Sequence, residues 1–197
     1  MLTIPPAVLK MLPKLSHKII KIFKTKRHVD QCIAQLEIGE RKIPIVLLER
    51  FGPRKSDKNI LGAYSADSDT LFLFRSLVQS YKTIPAGAMS HSHWVEHCFA
   101  HEIAHALDKN RLLKTPLKTG EKETKKEIRK YVSQKVEFDA EMAAIIGVDI
   151  PFLKKNKNWV MVIASYLASC YPHISCWDKP KIAKRFISML KKEMVKK

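Results

Sequence analysis

An α+β fold is predicted: a small antiparallel or mixed sheet of two hairpins, followed by a helical half. Three observations predict it. Residues 29–74 hold short alternating or continuous apolar runs separated by turn residues, the mark of paired strands. Residues 91–108, HSHWVEHCFAHEIAHALD, contain no Gly or Pro and carry a nearly continuous apolar surface, as a buried helix does. Residues 131–146, YVSQKVEFDAEMAAII, return to an amphipathic helical pattern after a charged stretch. Strands grouped ahead of helices make an α+β plan. With 197 residues and 46% apolar content, a single domain over 1–197 around one core is expected.

Residues 7–26 place Val8, Leu9, Leu12, Leu15, Ile19, Ile22 and Phe23 near helical spacing among Lys10, Lys14, Lys18, Lys21 and Lys24. This basic amphipathic helix is expected to pack on its own domain, with a membrane surface as the alternative. Pro13 is expected to break or begin it. In the first hairpin, residues 29–49, Cys32, Ala34, Leu36 and Ile38 alternate with polar residues, and Gly39-Glu40-Arg41 forms the turn. Ile43-Pro44-Ile45-Val46-Leu47-Leu48 is a buried strand signal. A basic loop over 51–59 leads to a second hairpin, residues 60–64 and 70–74, turning at Ala66-Asp67-Ser68-Asp69. A loop over 83–90 enters the helix at 91–108, with Ser90 or Ser92 as its N-cap. Residues 114–130 form a charged surface loop; further helices are expected over 158–170 and, basic and amphipathic, over 179–197.

Composition excludes several classes. No apolar run reaches 18 residues, so no transmembrane helix is expected. Prolines and lysines interrupt the apolar start, which lacks a signal-peptide cleavage pattern; a cytoplasmic location is the default, with signal-less export left open. Cys32, Cys98, Cys170 and Cys176 show no C-x-x-C spacing and are expected as free thiols. Lys and Arg total 36 against 19 Asp and Glu, a formal +17 that attracts nucleic acid, anionic lipid or an acidic protein, with a solvated lysine-rich surface as the equal alternative. No RNP, zinc-finger or helix-turn-helix signature points to nucleic acid.

The chemistry gathers at His101-Glu102-Ile103-Ala104-His105, the pattern H-E-x-x-H. On a helix the two histidines lie roughly 40° apart in azimuth and about 6 Å apart in rise. That spacing lets two imidazoles reach one Zn²⁺. Glu102 follows the first ligand and can serve as general base without ligating the metal. An overlapping rival, His93-Trp94-Val95-Glu96-His97, spells the inverted pattern H-x-x-E-H. One ion cannot take the whole stripe His93, His97, His101 and His105, because it drifts about 40° per step. His91, His93 and His97 read as helix-start or supporting histidines, with ligation as the alternative. A catalytic zinc site needs a third protein ligand, and Glu137 is the candidate. Glu141, four residues on, shares its face and can hydrogen-bond a ligand histidine. The alternative is a solvent face of Glu137, Glu141 and nearby lysines. Asp139 points elsewhere on the helix.

H-E-x-x-H followed by E-x-x-x-[DE] on a second helix resembles the gluzincin arrangement. HEIAHALD and VEFDAEM look like segments of the anthrax lethal factor catalytic domain and of the Mlc titration factor peptidase branch. The resemblance covers residues 101–108 and 131–146. It implies one Zn²⁺ per chain held by His101, His105 and Glu137, with Glu102 as base, and it favours H-E-x-x-H over the inverted motif. It also implies an oxyanion-stabilising tyrosine; Tyr131, six positions before Glu137 and one short of the family spacing, takes that place. Asp108 matches an acid common after the motif in this branch; three residues after His105, it is expected to orient that ring, with simply ending the helix as the alternative.

The expected function is therefore zinc-dependent hydrolysis of peptide bonds in a peptide or protein substrate, acidic by charge complementarity. The strand at 70–74 is expected to pair with extended substrate. The chemistry is the same for a housekeeping enzyme and an exported toxin or effector. The alternative function is an inactive zincin-like scaffold whose basic termini hold anionic membrane or nucleic acid.

Overall fold

Pro6 opens the first helix of the computed structural model, α1 (Pro6–Thr25), where proline has no backbone donor to lose and its φ is already helical. Residues 2–52, 60–83, 90–108, 135–149 and 188 are described. Tyr131, the loop at 114–130 and the helix expected over 158–170 lie outside them, as do residues 53–59 and 84–89 of the two predicted loops. Of the helix expected over 179–197, Ser188 alone is described, and it is helical.

Pro13 neither breaks nor begins α1, against the sequence expectation. The reason is packing. Val8, Leu12, Leu15, Ile19 and Phe23 are all buried on one side of the helix. At about 1.5–3 kcal/mol each, they outweigh the roughly 3 kcal/mol that an interior proline costs. The lysines at 10, 14, 18, 21 and 24 are exposed.

Gly39, with φ +61, turns the chain between β1 (Asp30–Ile38) and β2 (Arg41–Leu48). The left-handed conformation suits glycine. Strict alternation along β1 fails at one point. A bulge between Cys32 and Ala34 puts Cys32 opposite Val46 on the outer side, exposed, and returns Ala34 to the core side opposite Ile45. Pro44 pairs with Gln35 of β1 and sits just before the second pairing of β2 begins at Ile45, so its missing N–H takes nothing from the β2–β4 ladder. The second hairpin joins β3 (Gly62–Ser65) and β4 (Thr70–Phe74) across a turn in which Asp69 has φ 46.

The two hairpins meet through a parallel pairing of β2 with β4, giving a mixed four-stranded sheet in the order β1-β2-β4-β3. This is an α+β fold. It corrects one expectation: β4 is interior, hydrogen-bonded on both sides, and has no edge for a substrate strand. The edge on that side is β3. Leu36, Ile43, Ile45, Leu47, Leu71 and Leu73 form the sheet's contribution to the core.

After β4 come α2 (Arg75–Gln79) and a 3-10 turn, Ser80–Thr83. Then α3 (His91–Leu107) begins at Ser90, whose side chain accepts from the His93 N–H at 3.1 Å. Trp94 is buried, and its indole N–H is satisfied by the Leu77 carbonyl at 3.1 Å and Ser80 Oγ at 3.0 Å. The last described helix is α4 (Lys135–Ala144), continued by a π-helical turn, Ile145–Asp149. α3 is central, packed against α1, α4 and β3. Among the described residues no helix is long and apolar enough to cross a membrane.

Candidate metal centre

The four-residue spacing of the α3 histidines turns His93, His97, His101 and His105 toward α4, which runs antiparallel to α3. The sense follows from the pairing, in which acids at rising positions meet histidines at falling ones. Glu137 is 3% exposed and Glu141 2%, so neither lies on a solvent face. Asp139 lies apart from this row and pairs with Lys135.

At one end of the row, His101 Nε2 and His105 Nε2 stand 3.1 Å apart. Glu137 reaches both, Oε2 at 3.4 Å from His101 Nε2 and Oε1 at 3.3 Å from His105 Nε2. The three residues offer donor atoms all within 4.8 Å of one another. Glu137 Oε1 is buried with no hydrogen-bond partner among the described residues. An unsatisfied buried acceptor costs about 1–3 kcal/mol or more, which a cation at this point would relieve. Two imidazoles and one carboxylate are also the donor set of a catalytic zinc site. The residues fit the metal.

The rest of the row is tied more closely. Glu141 Oε2 is 2.9 Å from His101 Nδ1, and its Oε1 faces His97 Nε2 at 3.3 Å. Asp149 Oδ2 is 2.7 Å from His97 Nδ1, and its Oδ1 is 2.8 Å from His93 Nε2. Each of the three acids thus divides its two oxygens between successive histidines. At His97 and His101 burial disfavours charge, yet the opposite charges win. His97 is pushed up to about 9 by Asp149 and Glu141, and His101 is raised well above its usual value by Glu137 and Glu141. Burial likewise opposes ionisation of Glu137, Glu141 and Asp149, but the facing histidines hold all three below the usual carboxylate range.

These shifts fix a pH dependence for the metal-free protein. His97, raised in the fold, contributes stability that is full below about pH 6.5, its unfolded value, and is lost as pH climbs through about 9; His101 acts in the same direction. The depressed acids contribute stability present above about pH 4.5 and lost below it. The melting temperature of chelator-treated protein is therefore expected to be highest between about pH 4.5 and 6.5 and to fall toward pH 9. His97→Gln should flatten the alkaline fall. A melting temperature constant from pH 6.5 to 9.5 would contradict the ion pairing.

Glu102 leaves the row and turns toward the sheet. Its side chain lies over Gly62 of β3, where an added Cβ would come within 2.7 Å of Glu102 Cγ. The Tyr64 backbone N–H acts on its carboxylate and favours the ionised form. Burial dominates, raising Glu102 above the ordinary value against the pull of His101 and His105. That direction suits a general base working near neutral pH. Arg41, at the start of β2, holds the last turn of α3. It donates to the Ala106 carbonyl at 2.8 Å and to the Tyr64 hydroxyl at 2.9 Å, and it pairs with Asp69. A cation at a helix C-terminus is also favoured by the helix dipole.

Among the other sequence candidates, Asp108 ends α3, its backbone N–H on the carbonyls of Ala104 and His105. His91 stacks on Tyr81 with ring centroids 4.6 Å apart. Glu96 of the inverted motif is engaged on the α1 side, where Ser92 Oγ donates to it at 3.0 Å and Ser16 Oγ at 3.3 Å. His93 and His97 share Asp149 rather than a metal-sized cluster; among the described residues only His101, His105 and Glu137 form one. Sequence reasoning missed Gly62 and Asp149. A glycine inside a strand signals close approach of a neighbour, which was the available cue for Gly62. Asp149 had none beyond being an acid in an apolar run, because its place depends on the π turn. No family model, curated protein or solved structure matches this chain.

Proposed function

We propose that this protein is a zinc-dependent metallopeptidase of the gluzincin kind. One observation carries the reading: His101, His105 and Glu137 converge on one point, while Glu102, one residue from the first of them, lies over the edge strand within reach of the charges of all three. Zinc bound by those three residues supplies a Lewis acid that acidifies water and polarises a peptide carbonyl.

The chain's own residues do the rest. Glu141 accepts from His101 Nδ1 and so leaves Nε2 free to ligate. Glu102 accepts the proton of the attacking water and passes it to the leaving amine. Gly62 keeps the space that the Glu102 side chain needs. β3, the edge strand of the described sheet beside α3, takes over the substrate-pairing role first expected of residues 70–74. Tyr131 is assigned the hydrogen bond to the developing oxyanion by the resemblance of its segment. The formal +17 favours encounter with acidic substrates.

The test is cleavage of a diverse peptide library by zinc-loaded protein, with Glu102→Ala run beside it. Cleavage that needs both zinc and Glu102 supports the reading. Zinc-loaded protein that cleaves nothing would move the binding-scaffold alternative to the front.

A further inference from the structure

Behind the three candidate ligands, α3 and α4 bury ionisable side chains that the proposed reaction does not use. His97 is the extreme case, with 0% of its surface exposed. A histidine in that position is costly unless its ring nitrogens meet partners. Its two nitrogens meet two different acids, Asp149 at 2.7 Å and Glu141 at 3.3 Å. Each acid then uses its other oxygen on another imidazole. Apolar residues of similar volume would stabilise such an interface as well or better, so stability alone does not account for the row.

The local fold is adapted to complete it. Asp149 lies eight residues after Glu141. In a regular α-helix that separation swings a side chain by roughly 80°. The π turn Ile145–Asp149 bonds one residue further along the chain, so each residue turns through less and the swing is reduced. Asp149 thereby comes back to the histidine row. Gly147 lets α1 close over this turn, since a Cβ there would lie 2.9 Å from Leu9 Cδ2. A π turn inside a helix is rare and frequently sits at a functional site.

The contacts have an order. Asp149 holds the plane of the His97 ring through a hydrogen bond. His97 Nε2 faces Glu141 Oε1, an oxygen that has no hydrogen-bond partner among the described residues. Glu141 Oε2 meets His101 Nδ1, which leaves His101 Nε2 facing His105 and Glu137. We propose that His97 and Asp149 are positioning residues for the metal centre, holding Glu141 in place so that Glu141 in turn fixes the ring orientation and tautomer of His101. This rests on the zinc reading above and adds two residues to it, neither of which touches the metal.

The experiment is a double-mutant cycle on zinc affinity, measured with the full chain against a competing chelator. Changing a residue next to a ligand weakens metal binding about 10–100-fold; one step further out, His97→Gln is expected to weaken it about tenfold. Because His97 acts through Glu141, the same change in a Glu141→Gln background should cost nothing further. Asp149→Asn keeps the side chain's shape and runs the same cycle if His97→Gln fails to fold. Unchanged affinity in both single variants, or an equal loss with and without Glu141, overturns the positioning role. Wild-type protein that takes up no zinc overturns the metal reading beneath it.

Discussion

Glu102→Gln is expected to lose about 10²–10⁴-fold in peptidase turnover, the usual contribution of a general acid–base residue, while keeping its zinc and its fold. The amide has nearly the shape of the carboxylate and can still accept from the Tyr64 N–H, so the packing over Gly62 survives. It cannot take up a proton. Glu102 is not one of the three residues whose donor atoms cluster, and metal affinity should not change. Turnover on any cleaved peptide, zinc content and thermal melting on the same samples decide the matter. Near-normal turnover with zinc bound would remove Glu102 from the mechanism.

Glu137→Ala is expected to abolish stoichiometric zinc binding, and with it activity. Among the described residues the substitution removes the only carboxylate that reaches both His101 Nε2 and His105 Nε2, leaving a two-imidazole site. Glu141→Ala should behave differently. It leaves all three candidate ligands and frees the His101 ring, so zinc should remain but bind about 10–100-fold more weakly. Equal losses from the two variants, or loss from Glu141→Ala alone, would reverse the roles assigned along α4.

The parts of this molecule legible in its sequence are those set by local rules. The turn at Gly39 and the capping serine before His91 follow from single residues and their neighbours. The burial of Glu137 and Glu141 was open in sequence, where two acids four apart also fit a solvent face. What stayed hidden depends on contacts distant in the chain. The parallel pairing of β2 with β4 has no sequence signal, because it joins strands from different hairpins. It is what makes β4 interior and β3 the edge. The bulge beyond Cys32 follows from the register against β2 rather than from β1 alone. Pro13 was read by its local cost, and burial of the α1 stripe against the core outweighed it. The seven-membered row from His105 to His93 is the same case on a larger scale. Its histidines are plain in the sequence, but their acids come from 32–56 positions away, the closest being Glu137 for His105 and the farthest Asp149 for His93.

The central claim is that His101, His105 and Glu137 hold one zinc ion. Elemental analysis of protein purified without chelators, or reconstituted with zinc and desalted, tests it most directly, with the His101→Ala/His105→Ala double variant alongside. The expected result is about one zinc per wild-type chain and none in the double variant. A wild-type chain without zinc, or stoichiometric zinc retained in the double variant, would contradict it.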